Sequence, residues 1–465
     1  MSEIGGEKSA VSSEPESVTT YVYPDHPLLK LKKALPWDEI TEIMTKHWRK
    51  AGKNTDGGRG QAWDTELYVP LIVLMIVKGL TTRQTEEYVS ESAPARIFIS
   101  KHTTPIPHIR DHSNIARSYT ALGSEGMEEV NRILLNVVVN FGFGDPRKLS
   151  GDTTAQELPI GYPNEPGILK GLAQRCARAA GNLKKKGIEK ADSVIEKAAQ
   201  VIRSAKEYHL FAKEQEEKQS ILTRMIKETE TLLKETVRVV ESIKEVPCRV
   251  IKSAEEKLKV MKEVGEQLIP QIEHWMKTGI VAKGKIIHTG ITEAAAIVRN
   301  KTGKKVEFGL KYLINRIGGG YIFASLILGS VSETKMPELS LSGYRRIFGE
   351  EEVPEFFTYD RGGYSKPNIK KLRKAGVKKI GIQPKGNAAW EVSGEDRDIV
   401  KSERATTEGV IGTLKTKKYG FNKPKERSIE TLRSAGQRSV LSFNLNKLMR
   451  DLTESKKDTL NNATC

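Results

Sequence analysis

Residues 355–383 read EFFTYDRGGYSKPNIKKLRKAGVKKIGIQ, and this stretch decides the fold class. Its aromatic start predicts a short buried strand that ends at Asp360. A turn with two glycines follows, and then a basic segment with Pro367 near its start and Gly376 just past its end, which predicts a helix. The alternating residues after Gly376 predict a second strand. A strand–helix–strand unit favours a parallel pair in an α/β sheet.

Two acids after this strand are candidates for binding chemistry. In open α/β sheets ligands bind beyond the carboxyl ends of the strands, and Asp360 stands at such an end. The later segment RATTEGVIGTLK, residues 404–415, predicts a helix with Glu408, Ile411 and Lys415 on one face. Gly409 and Gly412 weaken that helix by about 1 kcal/mol each relative to alanine. They either allow a binding partner to approach closely or make the helix irregular there. Beside Asp360, the carboxylate of this helix would suit a metal ion, and its cation would suit a phosphate.

The charge balance points to a polyanionic partner. The chain has 465 residues, a formal net charge of +17 and a pI of about 9.4. Such an excess of cations is most simply explained by nucleic acid, and the alternative is a basic protein whose lysines are only solvated. The length is enough for roughly two to four domains.

The cysteines and the apolar runs exclude several classes of protein. Cys176, Cys248 and Cys465 are far apart, without metal-ligand spacing, and their odd number argues against a disulfide framework. The first twenty residues are polar and acidic, unlike a signal segment. The apolar run at 69–77 contains Pro70 and is too short to span a bilayer. We therefore expect a cytoplasmic protein without membrane spans.

The N-terminal part divides into two predicted segments. Residues 1–60 are predicted to be disordered or partly helical, because the start is rich in serine, glutamate and glycine. Residues 61–145 predict an all-α domain of short helices with tight turns, including a buried helix ended by Gly79. Two interpretations of this domain stay open, a helix-turn-helix DNA reader and a helical bundle used for packing or dimerisation.

Residues 170–300 change character and predict a helical insertion. This segment is rich in Lys, Glu, Ala, Ile and Val, and its apolar residues recur at spacings of three and four. These recurring apolar residues would form a stripe along each helix, which predicts an antiparallel helical hairpin or a coiled coil. Its many lysines are either a solvated face or contacts to DNA phosphates. The chain closes with predicted helix up to 450 and a polar tail at 451–465.

A third acid, Asp152, precedes the insertion. From local sequence alone Asp152 is either a solvated loop acid or a functional residue. The alternating residues at 303–315 and 321–328 predict a hairpin around Gly318–Gly320. With the insertion removed, residues 146–169 and 301–450 give three antiparallel strands followed by strand–helix–strand–helix. That is the topology of an RNase H-like fold, so the predicted class is α/β with an interrupted RNase H-like domain.

At this point the chain resembles the insertion-sequence transposases of the DDE class, close to the ISNCY-like group of bacterial and archaeal elements. The resemblance covers roughly residues 65–450. It rests on four motifs in order: GDTT at 151–154 with the trailing ELPIGYP, VEFGLK at 306–311, YDRGGY at 359–364, and RATTEGVIGTLK at 404–415. Each motif alone is weak evidence for the resemblance. The four motifs in this order, with a basic residue seven positions after the glutamate, are a specific signal.

The resemblance implies a catalytic triad of Asp152, Asp360 and Glu408 that holds two Mg²⁺ (or Mn²⁺) ions. Three carboxylates from different elements supply the hard oxygen ligands that two such ions about 4 Å apart require. The rival acids near Glu408 are Asp398 and Glu403, and neither is followed by a cation at the same spacing.

The resemblance also implies the partners. Lys415 is expected to contact DNA, and the other candidate DNA-binding residues are Arg404, Lys417 and Lys418. The partner is double-stranded DNA, both the terminal inverted repeats of the element and the target, in a prokaryotic, nucleoid-associated setting. Because two ends must be brought together, a homodimer or a higher oligomer is expected. The alternatives are a catalytically inactive transposase-derived DNA-binding protein, a nuclease on the same fold, and a coiled-coil scaffold that binds polyanions.

Overall fold

The computed structural model describes residues 22–55, 64–100, 112–243, 248–301, 304–384, 386, 390 and 392–461. The predicted disordered start of the chain lies outside these ranges. Within them the chain folds into helices and one mixed sheet.

The described strands form one six-stranded sheet. Its members are β1 (Asp145–Glu157), β2 (Ala295–Lys301), β3 (Lys304–Gly318), β4 (Ile322–Ile327), β5 (Phe356–Tyr359) and β6 (Lys379–Ile382). The order is β2-β3-β1-β5-β6, and β4 also pairs with β3. β3 is antiparallel to β1, β2 and β4, whereas β5 is parallel to both of its neighbours, β1 and β6. The predicted hairpin and the predicted parallel strand–helix–strand unit are therefore confirmed.

The helix of that unit, α12 in chain order, runs from Lys366 to Lys374 and has the ends that its sequence predicts. The side chain of Ser365 accepts a hydrogen bond from the backbone N–H of Asn368, which caps the first turn. Gly376 has φ +103°, a value that side-chain-bearing residues rarely adopt, and it allows the chain to leave the helix for β6.

In the described part of the chain, six helices precede the sheet. They are α1 (Pro27–Ala34), α2 (Trp37–Lys50), α3 (Thr65–Lys78), α4 (Thr82–Glu91), α5 (Ala93–Ile99) and α6 (His112–Asn140). α3 is apolar on all sides and almost wholly buried, as expected of a central core helix, and it ends at Gly79 as predicted. α6 consists of two helical segments that meet at a kink at Gly123. There φ is 64° and ψ is −173°, a backbone conformation essentially restricted to glycine.

The core of these helices continues into the sheet. One hydrophobic cluster joins α1–α6, one face of the sheet and the C-terminal helix α14 (Ile429–Asn461). Leu74 of α3, Leu313 of β3 and Leu445 of α14 are all buried in it. The N-terminal helices thus buttress the face of the sheet that also carries α11 (Met336–Phe348) and α12.

A helical unit with a core of its own lies between β1 and β2. It consists of α7 (Glu165–Lys184), α8 (Ala191–Leu210), α9 (Gln215–Ser242) and α10 (Arg249–Thr278). A hairpin or coiled coil was expected, and the structure instead packs four helices around one core. The difference arises in α7, where Ala173, Ala179 and Ala180 are buried. Such small residues give a weak apolar seam in sequence but allow close packing of helices.

The remaining helix, α13 (Gly394–Leu414), packs on the opposite face of the sheet. It passes through Gly409 and Gly412 without a break, and a side chain added at either glycine would meet no atom within 4 Å. Both glycines therefore face open space.

No single helix among the described residues has the length and apolar character to cross a membrane. α3 and α4 meet that criterion only when taken together, and they are bent by 100° at the break between them.

Candidate active site

Asp152 and Asp360 occupy equivalent positions on neighbouring strands. The parallel register pairs Gly151 of β1 with Tyr359 of β5, so the two aspartates follow side by side. Ser150, two residues before Asp152, bonds to the Thr407 hydroxyl of α13 at 2.8 Å. Because side chains alternate along a strand, Asp152 lies on the same face of the sheet as Ser150. Asp360 contacts α13 directly, so both carboxylates are on the α13 face.

Gly151 lets these elements approach each other. A Cβ atom at this position would lie 2.9 Å from both Asn315 Oδ1 and Ser340 Oγ, which is closer than real Cβ contacts. The small residue before Asp152 is thus required by the packing of β1 against β3 and α11. This close packing fixes the backbone from which the Asp152 side chain projects.

The carboxylate of Asp360 is held by two donors. Its Oδ1 accepts hydrogen bonds from the backbone N–H of Arg361 at 2.7 Å and from Arg404 Nη2 at 2.9 Å. About half of the Asp360 side chain remains exposed. Asp152 Oδ1 accepts a hydrogen bond from the backbone N–H of Thr153 at 2.7 Å. The Asp360 carboxylate therefore accommodates a cationic group directly.

Glu408 lies one helical turn beyond Arg404 on α13, and its side chain is exposed. Among the described residues no three His, Cys, Asp or Glu side chains converge as a metal-ligand set. The structure thus brings Asp152 and Asp360 together and leaves Glu408 on the adjoining helix without joining them. The paired carboxylates themselves have the hard oxygen atoms that Mg²⁺ and Mn²⁺ prefer.

The rival acids have other partners. Glu403 forms a buried ion pair with Arg316 of β3, whose side chain is only 4% exposed. Arg316 Nε also donates to Thr407 Oγ1 at 3.0 Å. These contacts attach α13 to β1 and β3. Asp398 is exposed and pairs with Lys401 at 3.1 Å.

The contacts of Arg316 with Glu403 and Thr407 form a clamp that holds α13 on the sheet. The sequence analysis did not predict this clamp, although a signal was present. Arg316 stands between the buried residues Ile314 and Ile317 in a strand. A guanidinium at a buried strand position requires a carboxylate partner. The sequence did not reveal which of the many acids would supply it.

A fourth acid, Glu333, was also missed. It lies behind the aspartates, where Tyr359 OH donates to its Oε2 at 2.9 Å and Thr153 Oγ1 bonds its Oε1 at 3.2 Å. Lys311 Nζ pairs with the same carboxylate at 2.6 Å. Burial raises the pKa of Tyr359 far above its usual value, and the charge of Glu333 raises it further. Tyr359 is therefore a permanent hydrogen-bond donor and not a base.

The candidate DNA-binding residues fall in two environments. Lys415 pairs with Glu307 at 3.4 Å, and both side chains are less than one-fifth exposed. Arg404 is bound to Asp360. Lys417 and Lys418 are exposed just beyond the end of α13, and the Lys418 ammonium lies 5.2 Å from the centre of the Tyr419 ring.

Comparison with known families supports a transposase. Residues 16–121 match the family model described as Transposase domain (DUF772). The match covers just under a quarter of the chain, from before α1 into α6, and it ends before Asp152. No curated protein and no solved structure matches the chain significantly.

Proposed function

We propose that the chain is a DDE-class transposase of the ISNCY-like group, which cuts the ends of its element and joins them to target DNA. The observation that carries the proposal is the pair Asp152 and Asp360, side by side on one face of the sheet beneath α13. The transposase-domain match and the net charge of +17 support it independently.

The catalytic domain in this proposal is RNase H-like. Its support is the strand order β4-β3-β1-β5-β6, in which three antiparallel strands adjoin two parallel ones. The sequence predicted β1, β3, β4, β5 and β6 along the chain, whereas β2, which begins within the predicted helical insertion and pairs with β3, was not predicted. The insertion α7–α10 enters between β1 and β2 and has a separate core, so it adds to the domain without interrupting the sheet.

Asp152, Asp360 and Glu408 would hold the divalent ions in this proposal. When bound, two such ions activate an attacking water or hydroxyl and stabilise the leaving oxygen of a phosphodiester. The residues of the chain set the geometry around them. The Arg316–Glu403 ion pair fixes α13 on the sheet and with it the distance of Glu408 and Arg404 from Asp360. Arg404 offsets the negative charge of the aspartates, which would otherwise repel DNA phosphates.

The test is metal-dependent cleavage of DNA that carries the two ends of the element. Purified protein is incubated with end-containing duplex and Mg²⁺, Mn²⁺ or a chelator, and the products are mapped at nucleotide resolution. We expect cuts at the element ends with either ion and none with the chelator. Binding to the ends without cleavage under any condition would remove the catalytic proposal.

A second candidate function is that of a transposase-derived DNA-binding protein without catalysis. It is favoured by the Arg404–Asp360 ion pair and by the lack of a three-ligand set in the described part of the chain. The cleavage assay separates the two functions, since the second predicts binding with no metal-dependent product.

Lys417 and Lys418 are expected to contact DNA phosphates. Replacing both by glutamine should weaken binding equally for all sequences and reduce the slope of log affinity against log salt by about one for each lysine. The matched control replaces Lys185 and Lys186, an exposed pair just beyond the end of α7. Equal losses in the two variants would show that Lys417 and Lys418 contribute no more to binding than other exposed lysines. Affinity is measured by fluorescence anisotropy at several salt concentrations.

A further inference from the structure

A basic groove lies at the free edge of the sheet, where β6 has no further partner strand among those described. It is a cavity of about 390 Å³ between α12, β6 and the start of α13. Five lysine and arginine side chains line it together with apolar residues, one acid, Asp396, and the ring of Trp390. We call it the α12 groove.

The charges of the α12 groove are only partly neutralised. Lys379 pairs with Asp396 at 2.8 Å. Lys366, Lys370 and Arg373 follow one another at helical spacing along α12 and line the same cavity. The side chains of Lys366 and Lys370 are exposed, and no acidic partner for them is present in the described part of the chain. This wall therefore attracts an anion.

Trp390 supplies a different kind of contact. Its indole Nε1 is buried and has no hydrogen-bond acceptor among the described residues. Arg397 covers the ring at 5.6 Å and donates to the carbonyl of Trp390 at 3.2 Å, which holds the tryptophan in place. Because Nε1 is enclosed, the part of Trp390 that can meet a ligand in the groove is its aromatic ring.

We infer that the α12 groove binds one unpaired nucleotide of a DNA single strand. Cations that track the backbone beside an aromatic ring are the features of single-strand nucleic-acid sites. The phosphates lie along Lys366 and Lys370, and the base lies against the ring of Trp390. The volume is that of a small-ligand pocket, which admits a nucleotide but not a duplex.

The position of the groove gives this binding a use. Tyr364 and Lys366, which line the groove, follow Asp360 within the same turn and helix start. A strand whose unpaired nucleotide is held in the groove is therefore led past Asp360. The inference does not depend on the metal chemistry proposed for the aspartates, because the groove shares none of their side chains.

The test measures binding of a labelled oligothymidine of about ten nucleotides, within the usual range of single-strand site sizes. It is carried out with chelator present, so cleavage plays no part. The variant Lys366→Gln with Lys370→Gln should lose about tenfold or more in affinity, and its salt slope should fall by about 0.7 for each lysine. Trp390→Leu should lose about tenfold, and Trp390→Phe, which keeps an aromatic ring but lacks the N–H, should lose less.

The matched control is Lys371→Gln with Lys374→Gln, which removes the same charge from the same helix. Neither residue lines the groove, and Lys371 pairs with Glu338 at 2.9 Å on another side of α12. The control should bind like the wild type. Equal loss in the control, or unchanged binding in the groove lysine variant, would overturn the inference. A blunt duplex of the same length that shows the same loss in the groove variants would overturn it as well. If Trp390→Leu fails to fold by thermal melting, Trp390→Phe and the lysine variants still decide.

Discussion

Asp360→Asn should reduce metal-dependent cleavage of element ends by about 10³-fold or more and leave DNA binding intact. The carboxylate is proposed to hold an ion that supplies several kcal/mol of transition-state stabilisation, and each 1.36 kcal/mol corresponds to a factor of ten in rate. Asp152→Asn should have an effect of the same order, because the two residues are neighbours on β1 and β5. Single-turnover cleavage rates measure the effect.

Measurements of stability and of DNA binding distinguish a loss of catalysis in Asp360→Asn from misfolding. The Asp360–Arg404 pair is partly exposed, so its loss should change the free energy of unfolding by no more than about 1 kcal/mol. The neutral amide also removes a repulsion towards phosphate, so affinity for DNA should stay equal or rise. Asp398→Asn is the matched control, because Asp398 is an exposed acid on α13. This variant should cleave DNA at the wild-type rate. Full activity of Asp360→Asn would mean that other carboxylates carry the chemistry.

Arg316→Met should destabilise the protein by about 3–5 kcal/mol, because it leaves the Glu403 carboxylate without its buried partner. It also removes the bond to Thr407, which ties α13 to the sheet. Thermal and urea unfolding measure the change, and cleavage should fall with it since α13 carries Glu408.

A second arginine on the same helix gives the comparison. Arg404→Met removes an ion pair in which the arginine side chain is about one-third exposed. The free energy of unfolding should therefore fall by no more than about 1 kcal/mol. The double variant Arg316→Met with Glu403→Met should recover much of the stability, because an apolar pair replaces a broken charged one. Similar small losses for Arg316→Met and Arg404→Met would show that the buried clamp does not hold α13.

Local patterns in the sequence were sufficient for several elements. The aromatic run before Asp360, the proline and glycine at the ends of α12 and the alternation after it predicted β5, α12 and β6. Gly79 marked the end of α3, where it adopts the left-handed conformation. These features depend on backbone preferences and on nearest neighbours, so the chain order carries them.

Contacts between distant segments were beyond the reach of such patterns. Glu333 meets Thr153, Tyr359 and Lys311, which come from three separate strands. Arg316 selects Glu403 among many acids because α13 crosses β3 at that point. The alanine-rich seam of α7 becomes visible only when four helices close around it.

The sequence by itself determined the strand–helix–strand unit, the hairpin of β3 and β4, the basic charge and the acids worth testing. Only the tertiary structure decided that Asp152 and Asp360 are neighbours and that the N-terminal helices share a core with the sheet. It also decided that the Arg404 guanidinium forms an ion pair with the Asp360 carboxylate. The physical reason is that periodicity and turn chemistry act over a few residues. Strand register and the docking of α13 are set by the packing of side chains that lie far apart in the chain.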